Sequence, residues 1–144
     1  MGVVPYWAWA AVERSAATKS DKILGLDFIT NLRESDYALC VKGDENASFR
    51  FYEALSMGRI PLLLDTECVL PLQDIIDYRS FCVIVDWRDA DRIGEKLLAF
   101  HEQVSAEEFE AMQRRAREAF VEYLRMDSFT PYLVRQLKQV RSVI

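Results

Sequence analysis

The apolar positions of this chain change period repeatedly, and each change marks an element. Leu24, Phe28 and Leu32 recur every four residues, which predicts a helix from Leu24 to Glu34 with one apolar face. Tyr37 to Lys42 reads as a short buried strand ending at Gly43. A helix from Ser48 to Met57 comes next and stops at Gly58, the residue type that best tolerates the left-handed backbone of a helix C-terminus. Arg59 to Leu64 is apolar after its first residue, as a strand is when helices cover both faces of a parallel sheet. After Leu70-Pro71-Leu72 and a helical turn through Ile76, the stretch Phe81 to Val85 repeats that character and runs into Asp86-Trp87.

The second half reads as helical. Ile93, Leu97, Phe100 and Val104 line one side of a helix from Asp91 to Val104. Ser105 and Glu108 have the spacing of a capping box, and Phe109, Met112, Ala116, Phe120 and Tyr123 form the stripe of the helix that follows. Thr130-Pro131 then starts the last helix, with Leu133, Leu137 and Val140 facing inward. At the other end, Ser15 to Lys22 is polar and reads as a loop, while Val3 to Ala11, with Tyr6, Trp7 and Trp9, fits a strand or a short buried helix. Strands alternating with helices predict an α/β fold on a parallel sheet. No internal repeat or low-complexity tract interrupts it.

Composition narrows the picture. A length of 144 residues suits one domain with one core. Eighteen basic against 23 acidic residues leave a net charge of -5, which argues against a general nucleic-acid or anionic-membrane binder. Three cysteines, Cys40, Cys68 and Cys82, lack the spacing of a metal knuckle and form an odd count. Cys40 and Cys82 fall in predicted strands as small core residues, and a reducing compartment is expected. No apolar run approaches the roughly 20 residues that span a bilayer, and no basic region precedes an apolar run with a cleavage site. A cytoplasmic protein without a membrane span is therefore expected.

The chemistry concentrates in the run from Gly43 to Leu55. It carries a turn, a helix start and two glutamates between two predicted strands, which is where an open α/β sheet binds its ligands. Asn46 and Ser48 can cap the helix, the N–H groups there favour an anion, and Arg50 adds a fixed positive charge in the first turn. A phosphate fits that arrangement. Asp65, Thr66, Glu67 and Asp86 fall at the C-terminal ends of strands and are expected at the same crevice, although each also reads as an ordinary polar loop residue.

A longer pattern contains this run. Ser48-Phe49-Arg50-Phe51-Tyr52-Glu53-Ala54-Leu55, then Gly58-Arg59-Ile60-Pro61-Leu62-Leu63-Leu64, then Leu70-Pro71-Leu72 with Asp74, Ile75, Ile76 and Asp77, resembles the exostosin family of glycosyltransferases. The resemblance covers roughly Leu24 to Leu124. Tyr78 stands where the family usually has tryptophan after the aspartate, a change that keeps an aromatic for packing. The resemblance implies a GT-B fold, of which this chain would be the single Rossmann-like half that binds a nucleoside diphosphate sugar, UDP- or GDP-linked, over residues 1–144. The length leaves no room for the acceptor-binding half, so the expected partners are a nucleotide-sugar donor, a glycan or surface-polysaccharide acceptor, and an acceptor-binding domain or a second copy.

The resemblance also implies roles. Glu53 would hold the donor ribose and Glu45, in the same run, would approach the donor sugar. Gly43, Asn46, Ser48 and Arg50 complete the expected donor site. A carboxylate suits the ribose because it accepts two hydrogen bonds from vicinal hydroxyls. Glu53 can instead pair with Arg50 three residues earlier, for roughly 0.3 kcal/mol. No catalytic base is assigned, since inverting GT-B enzymes commonly place it in the other half. His101, the lone histidine, reads as a solvated or packing residue. Asp89-Ala90-Asp91 reads as capping, and no metal or further cofactor is expected. The alternative to a donor domain is a non-catalytic Rossmann-like module that dimerises or docks through Tyr6, Trp7 and Trp9.

Overall fold

The computed structural model describes residues 19–43 and 46–141, with side chains over 27–43 and 46–139. Two compact units succeed one another along the chain, divided after Asp36. The first contains helix α1 (Lys19–Glu34). Its polar beginning, expected as a loop, is already helical at Lys19, because lysine is a good helix former and polarity alone does not exclude a helix start. The Val3 to Ala11 segment lies outside the described residues.

The second unit holds β1 (Tyr37–Cys40), α2 (Phe49–Ser56), β2 (Ile60–Asp65), β3 (Val83–Asp86), α3 (Ile93–Gln103), α4 (Ala106–Ala119) and α5 (Met126–Arg141). Its strands form one parallel sheet in the order β1-β2-β3, with Tyr37 opposite Ile60 and Leu62 opposite Val83. This is the Rossmann-like α/β arrangement that the sequence predicts. Central β2 is buried continuously from Ile60 to Leu63, whereas edge strand β1 alternates, with Leu39 exposed between buried Ala38 and Cys40. Among the described strands, only the central one is buried continuously, as a strand covered on both faces is.

Helix α2 packs on β1 and β2 through Phe51, Ala54 and Leu55, all fully buried. Its C-terminus is closed by the paired bonds of a Schellman motif, Arg59 N–H to the Ala54 carbonyl at 2.9 Å and Gly58 N–H to the Leu55 carbonyl at 3.1 Å. Gly58 adopts φ 63°, as expected of the glycine there. The Arg117 guanidinium, reaching over from α4, donates to the Ser56 carbonyl.

Met112, Ala116 and Phe120 form the buried stripe of α4 and of the π-helical turn Phe120–Leu124 that extends it. The capping box is half made. Ser105 Oγ accepts from Glu108 N–H at 3.2 Å, but the Glu108 carboxylate pairs with Arg115. Arg115 also donates twice to the Ser80 carbonyl, at 3.0 and 2.7 Å, tying α4 to the entry of β3. Tyr78 is buried, stacks near Phe51 and Phe81, and donates to the Pro71 carbonyl at 2.7 Å, so its ring is a packing residue.

The last helix departs from expectation. It begins at Met126 rather than Thr130, so Pro131 lies inside it. The earlier start is set by Arg125, whose carbonyl accepts from the N–H groups of both Ser128 and Phe129, and by Asp127, an acid in the first turn that pairs with Arg125. Proline then costs a single backbone bond near the helix start. Leu133 and Leu137 are 47% and 61% exposed and do not face inward; the Val140 side chain lies outside the described residues. Helix α3 likewise starts only at Ile93, after a 3-10 turn (Trp87–Arg92) capped by Asp86, and Asp89 pairs with Lys96 at 2.8 Å instead of capping.

Gly58→Ala should lower unfolding free energy by about 1–2 kcal/mol, the cost of a Cβ in the left-handed region. The added carbon would also stand 3.4 Å from the Gln113 carbonyl oxygen. A lower urea midpoint with an unchanged m-value is the expected readout.

Candidate functional site

Parallel pairing delivers the three strand ends to one edge of the sheet, with Asp65 directly opposite Asp86. Asp65, Thr66, Glu67 and Asp86 therefore share that edge, as expected. Two of them are occupied by local structure. Asp65 Oδ1 accepts from Glu67 N–H at 2.9 Å and Cys68 N–H at 3.3 Å, a turn that holds Glu67 at φ 62°. Asp86 Oδ1 accepts from Arg88 N–H at 2.8 Å, and the Arg88 guanidinium returns to Asp86 at 2.9 Å and reaches Glu67 at 3.5 Å. These exposed pairs fix loop geometry more than they stabilise it.

The loop into α2 is organised differently from the sequence expectation. Asn46 does not cap the helix. Its amide donates to the Thr66 carbonyl at 3.0 Å and its oxygen accepts from the Thr66 hydroxyl at 2.5 Å, a two-bond clasp between the loops that follow β1 and β2. Ser48 occupies the N-cap position with extended backbone, φ -126° and ψ 114°, yet its side chain makes no capping bond. The clasp explains both departures: it draws Asn46 away from the helix axis and fixes the approach of the chain to Ser48. Gly43 N–H closes the loop onto the Ala47 carbonyl at 2.9 Å. Glu45 lies outside the described residues.

The first turn of α2 contains no acidic residue, so nothing in its own sequence neutralises the positive end of the helix. Arg50 adds a full charge there. Among the described residues its field acts on Glu53 and Cys40. Burial raises the Glu53 carboxyl above its ordinary value, and Arg50 pulls it back. Burial pushes the Cys40 thiol up to about 12, opposed by Arg50 and reinforced by Glu53. Cys40 and Cys82 are buried thiols, as expected of core residues, and burial raises Cys82 well above the ordinary range too. Neither is a nucleophile at neutral pH.

Two aromatics escaped the sequence reading. Phe49 is 87% exposed at the first position of α2, and half-buried Tyr52 has its phenol raised by burial and then by Cys68. The alternation in Phe49-Arg50-Phe51 carried the signal, because residues two apart cannot share a helix face and Phe51 is the core residue. His101 accepts or donates through Nδ1 to the Tyr37 hydroxyl at 2.9 Å and packs edge-on against Tyr37 and Phe109. It is a packing residue far along α3.

Comparison with known proteins places this geometry. The Exostosin GT47 domain matches residues 8–99, which include β1, α2, the whole sheet and the loop edge. The chain belongs to the exostosin GT47 family. The match begins earlier and ends earlier than the Leu24 to Leu124 span on which the resemblance was read. Among relatives of this GT47 chain are an Exostosin-1 homolog of Caenorhabditis elegans, 32% identical over 94 residues (65% of this chain, 24% of the relative), and a probable glycosyltransferase of Arabidopsis thaliana, 33% identical over 91 residues (63% and 17%). Exostosin-1 of Drosophila melanogaster is 40% identical over 62 residues (43% and 8%). The chain thus spans a quarter or less of the length of these relatives.

Glu53 gives this site a pH signature. Its folded pKa lies above the unfolded value, so the folded protein holds the extra proton and stability falls as pH rises from the unfolded pKa through the folded one. Glu53→Gln should remove that decline. Denaturation midpoints of both proteins between pH 4 and 7 should converge at the acid end and favour the variant at the neutral end.

Proposed function

We propose that this GT47 chain carries the donor-nucleotide half of a GT-B glycosyltransferase and transfers a sugar from a UDP- or GDP-linked donor to a glycan or surface polysaccharide. The observation that carries the reading is the start of α2: an N-cap serine that leaves its cap unmade, an arginine in an acid-free first turn, and a half-buried glutamate one turn on, beside the C-terminal strand ends of a parallel sheet, where such sheets take their ligands. The diphosphate takes the position that the Ser48 side chain does not fill, where helix N–H groups and Arg50 favour negative charge. Gly43 and Asn46 shape the loop, Asn46 through its clasp on Thr66.

Glu53 is suited to the ribose for a physical reason. Burial penalises its charge, and hydroxyl donors from a bound ribose offset that penalty. Glu45 is assigned to the donor sugar by family resemblance alone. Catalysis in this half consists of binding the leaving diphosphate and orienting the anomeric carbon. The catalytic base belongs to the acceptor-binding half, so the isolated chain binds nucleotide with little or no transfer.

Calorimetric titration with UDP, GDP and their sugar conjugates tests the reading. Saturable binding to one nucleotide class is expected. Glu53→Ala should weaken it about ten- to hundredfold, the loss of charged hydrogen bonds of about 1.5–3 kcal/mol, without lowering the melting temperature. A folded protein that binds none of these ligands, or a Glu53→Ala variant of unchanged affinity, would sink the assignment.

A further inference from the structure

Helix α5 is anchored by its first half alone. Ser128, Phe129 and Tyr132 are half-buried and hold it to the π-helical turn, with Ser128 Oγ donating to the Val121 carbonyl at 2.7 Å and the Tyr132 ring centred 6.0 Å from that of Tyr123. From Leu133 to Gln139 every residue is exposed. Helix standing clear in this way gains little from propensity, because isolated helices shorter than roughly 12–15 residues are marginal in water. A partner along that end would supply what propensity does not.

The exposed apolar positions of α5 are ordered. Met126, Thr130, Leu133 and Leu137 follow intervals of four, three and four, and Val140 continues the series in sequence. The first four are all exposed, Met126 at 72%. Alternating steps of four and three are the a and d positions of a heptad, a seam narrower than the apolar stripe of a core-facing helix and matched to the same seam on another helix. Thr130 suits such a seam because its hydroxyl already donates to the Met126 carbonyl at 2.5 Å, so covering it strands no polar group.

Charge decides which helix fits. From Ser128 to Arg141 the sequence holds Arg135, Lys138 and Arg141 and no acid, whereas the approach to α5 holds exposed Glu118 and Glu122, and Asp127 in the first turn is answered by Arg125. The start is therefore acidic and the end basic. A second copy laid antiparallel sets each basic end beside its mate's acidic start and opposes the two helix dipoles, while a parallel copy stacks cation on cation. An anionic bilayer would attract Arg135 and Lys138 but repel a chain of net charge -5, and it needs no heptad.

We propose that α5 pairs antiparallel with α5 of a second copy of this chain across Met126, Thr130, Leu133 and Leu137. The contact is isologous, so one sequence supplies both halves of it. From Met126 to Leu137 the seam is about 17 Å long at 1.5 Å per residue, short for a stable interface, so the dimer dissociates in the micromolar range or above. No residue of the candidate donor site takes part, and the proposal stands or falls apart from that reading.

Sedimentation velocity of the full chain from micromolar to submillimolar concentration should show monomer giving way to dimer. Leu133→Asp with Leu137→Asp, both at exposed positions, should keep the melting temperature of the dilute chain and weaken association at least tenfold. Arg135→Glu with Lys138→Glu leaves the seam intact and should also weaken association, more at low salt than at high. Orientation is read by mixing isotope-labelled chain with unlabelled chain that carries a spin label at Lys138→Cys in a Cys68→Ser background. Amides around Arg125 and Met126 of the labelled chain should broaden. A monomer at every concentration overturns the proposal, whether or not that monomer binds anionic vesicles. A dimer indifferent to Leu133→Asp with Leu137→Asp overturns it too, as does broadening confined to the residues around Lys138, the mark of a parallel pair.

Discussion

The burial of Phe51, Ala54 and Leu55 against β1 and β2 is the contact on which the candidate site depends. A fully buried phenylalanine is worth several kilocalories per mole, about 3–5 when truncated to alanine, and it fixes the rotation of α2 about its axis. Once Phe51 points into the core, Phe49 must point out, Arg50 must lie at the side of the first turn, and Glu53 must fall at the margin of the interface. The half-buried state of Glu53 is thus a geometric consequence of a hydrophobic contact two residues away.

The same core links the site to the rest of the unit. Tyr78 packs near Phe51 and anchors the segment that joins β2 to β3, and Arg115 ties the entry of β3 to α4. Two surface regions with different chemistry, a cationic helix start and the acidic loops at the ends of β2 and β3, are held by overlapping sets of buried residues.

Most of the sheet was legible in the sequence because central strands must be continuously apolar and helix stripes must recur, and Ile60 to Leu63 and Phe109 to Phe120 obey both rules. The glycine after α2 was legible for the same kind of reason, since few other residues accept its backbone conformation. What could not be read was competition between partners. Asn46 is equally suited to capping α2 or to bonding Thr66, and only the spatial approach of two loops decides. Thr130-Pro131 is a good helix start in isolation, but Arg125 and Asp127 provide a better one a turn earlier. The inward face assigned to Leu133 and Leu137 failed because periodicity reports which residues share a face, never whether anything covers it.

The two ends of α2 are secured unequally. Its C-terminus has a complete Schellman motif and a guanidinium from α4 on the Ser56 carbonyl, while its N-terminal cap carries no side-chain bond. The tilt of the element is fixed from behind, while its leading turn is held by the Phe51 ring in the core instead of by a cap. Displacing that leading turn must also displace Phe51, so a force applied at Arg50 is passed straight to β1 and β2.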